Sequence, residues 1–221
     1  GAETFPVKEN TMAEFALAYA PVKDFEGGWC DDFGDKGGET FCGCARNFFP
    51  DEPIWPVIDR EKSHPSFKQG QRAFSRHLAA LPCLAGMVSG WYRKEWWDKL
   101  NLGQFEQTVA NELFEQAVNL GKSGMGRHLQ RLCNALNWRN DGTPGGTRLF
   151  EDLEKDGIVG RRTLSAFSIV LARTDARRVV HLLNCMQGDH YIRISEGNLS
   201  LRKFCVGGWP TRTYDPGQEA I

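Results

Sequence analysis

Glu26-Gly27-Gly28-Trp29 places a carboxylate at the end of a helical pattern, followed by the two least helical residues available and an aromatic. A carboxylate there faces the negative end of the helix dipole, and an aromatic three residues on excludes water. Both effects raise its pKa, which a general acid working near neutral pH requires. Asp35 follows across a glycine-punctuated turn, and then Thr40. Two carboxylates flanking a bond, one protonating the leaving oxygen and the other activating water or attacking, are what cleavage of a glycosidic linkage needs. A hairpin beginning at Glu26 would bring Asp35 to roughly 5–10 Å from it, the range that covers both mechanisms, with Thr40 holding the water. The plainer reading makes Glu26 a solvated helix-end acid and the aspartates turn residues. Asp32 competes for the second acidic role. Glu39 does too, although an acid next to Thr40 on a strand points to the opposite face.

The surrounding elements follow from pattern. Thr11 and Glu14 have capping-box spacing at the start of a helix over 11–25, with Met12, Phe15, Tyr19 and Val22 as its apolar stripe and Pro21 interrupting its last turns. Residues 27–47 read as a glycine-rich hairpin or small sheet, and 49–65 as a proline-rich connection with a short helix near 57–62. Helical periodicity then runs through 67–81, 84–100, 105–120 and 125–137, the third carrying Phe105, Val109, Leu113, Ala117 and Leu120. After a loop at 139–146, helical blocks are expected at 149–153, 160–172 and 176–187, followed by a polar, extended tail ending in Gly207-Gly208-Trp209-Pro210. The predicted class is α+β, mostly α, with a small glycine-rich β-hairpin and a helical C-terminal region.

Composition narrows the function classes. The 221 residues hold 27 Lys and Arg against 28 Asp and Glu, a net charge of −1 that argues against attachment to nucleic acid by bulk charge. No apolar run is long enough to span a bilayer, and the opening Gly1-Ala2-Glu3-Thr4 shows no signal-peptide pattern, so localisation is not read from it. Seven cysteines, an odd number spread over the chain, suit reduced buried thiols better than a disulfide scaffold. Cys30, Cys42, Cys44 and His64 lack the second ligand pair of a zinc site, so no metal and no cofactor are expected. Among the seven Trp and fourteen Phe, Trp91, Trp96 and Trp97 could line a sugar groove or fill the core.

The stretch from Glu26 to Gly43, with Glu-Gly-Gly-aromatic, Asp-containing turns, Gly37-Gly38, Thr40, Phe41 and Gly43, resembles the opening motif of glycoside hydrolase family 108. Its members are lysozyme-like N-acetylmuramidases of phage-endolysin and secretion-activator type. Trp29 stands where Tyr is common, and Cys42 and Cys44 also depart from the pattern. Trp91 to Asp98 resembles the family's Tyr-Trp-Asp helix. Residues 114–121 with Leu129-Gln130 resemble its Asp-x-x-Val-Asn-x-Gly…Leu-Gln segment, with Glu115 where Asp is usual. Asp156-Gly157 to Leu164, and Gly208-Trp209-Pro210-Thr211-Arg212, resemble elements of the peptidoglycan-binding domain associated with that family.

The resemblance implies a lysozyme-like catalytic domain at 11–120 and a helical peptidoglycan-binding region at 121–215 packed on it. It implies cleavage of the linkage between N-acetylmuramic acid and N-acetylglucosamine, with Glu26 as acid, Asp35 stabilising charge or activating water, and Thr40 orienting the water. Phage-type lysozymes are similar in ordering Glu, Asp and Thr around a small hairpin. Substrate contacts are expected from Trp29, Phe41, Trp97 and Asn119. The expected partner is the peptidoglycan glycan strand, met in the periplasm or outside the cell by a monomer, with no nucleic acid and no membrane span. A non-catalytic wall-binding or secretion-associated scaffold and a lytic transglycosylase are the rivals; a zinc or redox module is more distant.

Overall fold

In a computed structural model of the chain, the residues described are 12–23, 27–31 and 36–213. They divide into two compact units, one formed by Glu14–Gly103 and the other running from Gln104 onward. The fold is mostly helical with one small antiparallel sheet, the α+β class expected.

The first unit begins with α1, Phe15–Lys23. Its inward stripe is Phe15, Ala18, Tyr19 and Val22. Met12 lies before the helix and stays exposed, and the cap expected at Thr11 lies outside the described residues. Phe15 stacks on Tyr19 at 5.3 Å and meets the edge of Trp97 at 5.8 Å. The glycine-rich stretch forms β1 (Trp29–Cys30), β2 (Thr40–Phe41) and β3 (Cys44–Ala45), ordered β1-β2-β3. Trp29 pairs with Phe41, and Phe41 with Cys44.

Helices α2 (Ile54–Glu61), α3 (Pro65–Lys68), α4 (Gln71–Ala79) and α5 (Pro82–Tyr92) follow. The single helix expected over 67–81 is two, because Gly70 takes a φ of 100°, which breaks the ladder between α3 and α4. The helix expected over 84–100 ends as α5 and continues as one wide π-type turn over Arg93–Asp98 that buries Glu95 and Trp97.

In the second unit α6 spans Gln107–Ala135, with left-handed Gly121 interrupting it. It packs against α7 (Arg161–Leu171) and α8 (Ala176–Gly197). Val109, Leu113 and Phe114 are fully buried, and Phe105 meets Phe167 at 5.2 Å. Residues 149–153 are not helical. Their backbone groups are taken by side-chain amides of α6 and of Asn137 just past its end: Asn137 Oδ1 accepts from the Leu149 and Phe150 amides, and its Nδ2 donates to the Phe150 carbonyl. Asn134 bonds both the amide and the carbonyl of Leu153. Gln130 does the same for the Gly157 amide and the Ile158 carbonyl. Three amides at helical spacing thus hold the segment more firmly than its own weak helical period.

The tail is coiled, not extended: α9 (Arg202–Val206) leads to a short 3₁₀ turn at Pro210–Thr213. Trp209 stacks on Tyr191 at 4.9 Å and on Phe204 at 5.4 Å, and Arg212 reaches Glu115 at 3.3 Å, contacts an extended strand would forfeit. Among the described residues no helix is long and apolar enough to cross a membrane. Replacing Asn137 by Ala strands the Leu149 and Phe150 backbone groups. Thermal or denaturant unfolding should show a loss of about 2–3 kcal/mol, with hydrogen-exchange protection lost first at those amides.

Candidate functional site

The strand that follows Glu26 is fixed to α4 by one hydroxyl. Ser75 Oγ accepts from the Trp29 amide at 2.8 Å and donates to the Trp29 carbonyl at 2.9 Å, capping both backbone groups of a single residue. The approach is close enough to require glycine next door. A Cβ on Gly28 would stand 2.7 Å from Ser75 Oγ. The Trp29 ring packs edge-on to Phe74 and Phe67 at 5.0 and 5.8 Å.

The Trp29 indole N–H donates to Glu39 Oε1 at 2.8 Å. Glu39 is buried and also pairs with Arg46 at 2.6 Å and Lys62 at 2.9 Å. Arg46 continues to Asp59 at 2.6 Å and lies over the Trp55 ring. Burial pushes the Glu39 carboxyl up, but hydrogen bonds from Trp29, Lys62 and Arg46 together hold it below the ordinary carboxylate range. An ionised carboxylate whose oxygens are committed to three donors is a structural anion. That removes Glu39 as the second catalytic acid.

Strand alternation sends Thr40 to the other face from Glu39 and Phe41. Thr40 is half-buried, pairs across the sheet with Cys30 and Ala45, and donates its hydroxyl proton to the Gly38 carbonyl at 3.1 Å. Its lone pairs are therefore the part left to face a ligand or water.

An open cavity of about 550 Å³ lies beside this strand. Gly27, Gly28, Trp29 and Cys30 form one side of it, with Gln71 and Arg72 of α4 on the other. Glu26, Asp35 and Asp32 lie outside the described residues; Gly27, the neighbour of Glu26 in the chain, lines the cavity. The expected substrate contacts separate. Trp29 borders the cavity although little of its surface is exposed. Phe41 and Trp97 are 2% and 5% exposed, so what they supply in this structure is core packing and not a sugar-facing plane. Trp91 is buried as well. Asn119 belongs to the second unit, where its amide donates to the Tyr191 hydroxyl. Gln187 bridges that hydroxyl to Glu115, so Asn119 and Glu115 sit in the network that anchors the tail.

Sequence reasoning missed Ser75 and Arg72, which carry no local signal beyond a helical period. Cys30, Cys42 and Cys44 form no disulfide. Burial, with the nearby Glu52 and Glu95 charges, pushes the Cys44 thiol up to about 12, away from the thiolate a metal would want. His64 is spent on capping α3 through Ser66 and stacking on His77. Among the described residues no group of three potential ligands could hold a metal ion.

This geometry falls in a stretch with known relatives. Residues 19–121 match the family model Glycosyl hydrolase 108, and residues 126–214 match the model Predicted Peptidoglycan domain. The first half of the chain is thus similar to the glycosyl hydrolase 108 family, and the second half to the peptidoglycan domain. The two matches meet where Gly121 interrupts α6, whereas the compact units divide at Gln104. Among solved structures the chain is similar to that described as "Structure of Brucella abortus SagA", at 18% identity and a TM-score of 0.46, over 92% of this chain and 97% of that one. No curated protein matches it at a significant level.

Because the folded Glu39 carboxyl titrates below its unfolded value, its contribution is complete above the ordinary carboxyl pKa and is lost as pH falls through the folded one. Glu39→Gln should therefore cost about 1–3 kcal/mol at neutral pH, discounted for the partly exposed cations. It should also flatten the acid decline of stability, read as unfolding midpoints from pH 7 to pH 3.

Proposed function

We propose that the chain is an N-acetylmuramidase that hydrolyses the linkage between N-acetylmuramic acid and N-acetylglucosamine in peptidoglycan. The observation that carries this reading is the open cavity whose wall begins at Gly27, directly after Glu26, within the glycosyl hydrolase 108 segment. In the sequence Glu26 comes shortly after Lys23, the last residue of α1; a carboxyl held at that carbonyl end would be disfavoured as an anion, which suits a proton donor. It would protonate the glycosidic oxygen as oxocarbenium-like charge develops on the sugar. Asp35 would stabilise that charge or activate water.

Thr40 favours hydrolysis over transglycosylation. With its own proton committed to Gly38, its oxygen can accept a hydrogen from a water molecule and leave that water's lone pair toward the anomeric carbon. We assign catalysis to 11–120 and wall binding to 121–215, supported by where the two family matches fall. The partner would be the peptidoglycan glycan strand, attacked by a monomer in the periplasm or outside the cell. We place the chain among wall-opening enzymes of the endolysin and secretion-activator kind.

Purified cell walls provide the test. Glu26→Gln should keep the unfolding midpoint and cut the release of reducing sugars by about 10²–10⁴-fold; unchanged release would remove Glu26 from the chemistry. Thr40→Val should lower turnover, with product ends shifting from reducing to anhydro if water delivery is what it supplies.

A further inference from the structure

The second unit has a cavity of its own, about 490 Å³, between α6, α8 and the segment that Gln130, Asn134 and Asn137 hold in place. That volume lies in the range of small-ligand sites, about 300–1,000 Å³. Leu182 and Met186 of α8 give it an apolar floor, with Leu182 37% exposed. Arg131 and Lys155 stand on its walls, both exposed. Among the described residues neither has an ion-pair or side-chain hydrogen-bond partner. The one acid on the wall, Asp189, is already paired with Arg193 at 2.9 Å. The cavity therefore presents uncompensated positive charge over an apolar base.

Lys155 is carried by a fixed backbone. On one side Asn134 bonds the amide and carbonyl of Leu153; on the other, Gln130 bonds the Gly157 amide and the Ile158 carbonyl. The backbone bearing the lysine is thus ordered before any ligand arrives, which lowers the entropy cost of binding. No aromatic side chain among the described residues lines the cavity, so it lacks the flat plane that a pyranose ring packs on.

We propose that this cavity takes the stem peptide of peptidoglycan, with free carboxylates on Arg131 and Lys155 and alanyl methyl groups over Leu182 and Met186. The proposal rests on the peptidoglycan reading above and deepens it: one unit would grip the peptide while the other acts on the glycan. Two separated cations suit a peptide with discrete carboxylates, and charge-assisted bonds would supply the orientation.

The experiment uses the full chain and the free tripeptide L-Ala-γ-D-Glu-L-Lys, followed by NMR titration. Saturable shifts at Leu182 and Met186 are expected. Arg131→Gln with Lys155→Gln should weaken binding at least about tenfold. Arg177→Gln with Arg178→Gln, the same charge loss at exposed positions of α8 outside the cavity lining, should leave it unchanged. No binding of the tripeptide, equal weakening by both pairs, or no weakening by the first pair would each overturn the proposal. Reducing-sugar release from whole walls, measured on the same proteins, keeps the two readings apart. Hydrolysis without tripeptide binding removes this inference alone, and tripeptide binding without hydrolysis removes the muramidase reading alone.

Discussion

A buried carboxylate holds the first unit's site in register. Glu39 collects the Trp29 indole, Arg46 and Lys62, and so ties β1, the residue that follows β3 and the residue that closes α2 to one point. Strands of two residues each cannot hold a sheet by ladder bonds alone. The ion-pair network and the Ser75 clasp on Trp29 do what the ladder cannot. One consequence is chemical. The network commits Glu39 to structure and, through strand alternation, sends Thr40 to the other face. The same contacts set the position of Gly27 and Gly28, and with it the wall of the cavity they line.

The second unit relies on amides instead of charges. Gln130, Asn134 and Asn137 satisfy the backbone of a segment with no secondary structure of its own, and Gly126 and Gly157 let it approach α6. A Cβ on Gly126 would stand 2.2 Å from the Gly157 carbonyl oxygen. The Asp-Gly-x-x-Gly element is thereby explained as packing: left-handed Gly157 turns the chain, Asp156 bonds Gln130, and Thr163 is buried inside α7. At the other end of the unit the Tyr191, Gln187, Glu115 and Arg212 network anchors the tail. Both halves thus use side-chain networks to order irregular backbone, and it is on that ordered backbone that both cavities sit.

Much of this was legible in the residues, for identifiable reasons. Glycine spacing announced the small sheet, and apolar period announced most helices, because both signals are local. The break at Gly70, the wide turn at Arg93–Asp98 and the non-helical 149–153 segment were not legible, since each depends on a left-handed glycine or on partners far along the chain. The Glu39 network joins positions 29, 39, 46 and 62, too far apart along the chain for a local pattern to announce it. Whether the aromatics expected to meet sugar are covered was not legible either, because spacing gives a face without saying what packs on it. Phe41 and Trp97 are covered. Glu26 and Asp35 lie outside the described residues, so their pairing rests on the motif and on the frame around them.

The central claim is that water, positioned opposite a protonating Glu26, breaks the bond on the muramic acid side. Digestion of purified walls in ¹⁸O-enriched water, with mass spectrometry of the released muropeptides, reads that step directly. The account predicts one ¹⁸O at the new reducing end of N-acetylmuramic acid. Label on N-acetylglucosamine ends, unlabelled anhydro ends, or no released product would contradict it.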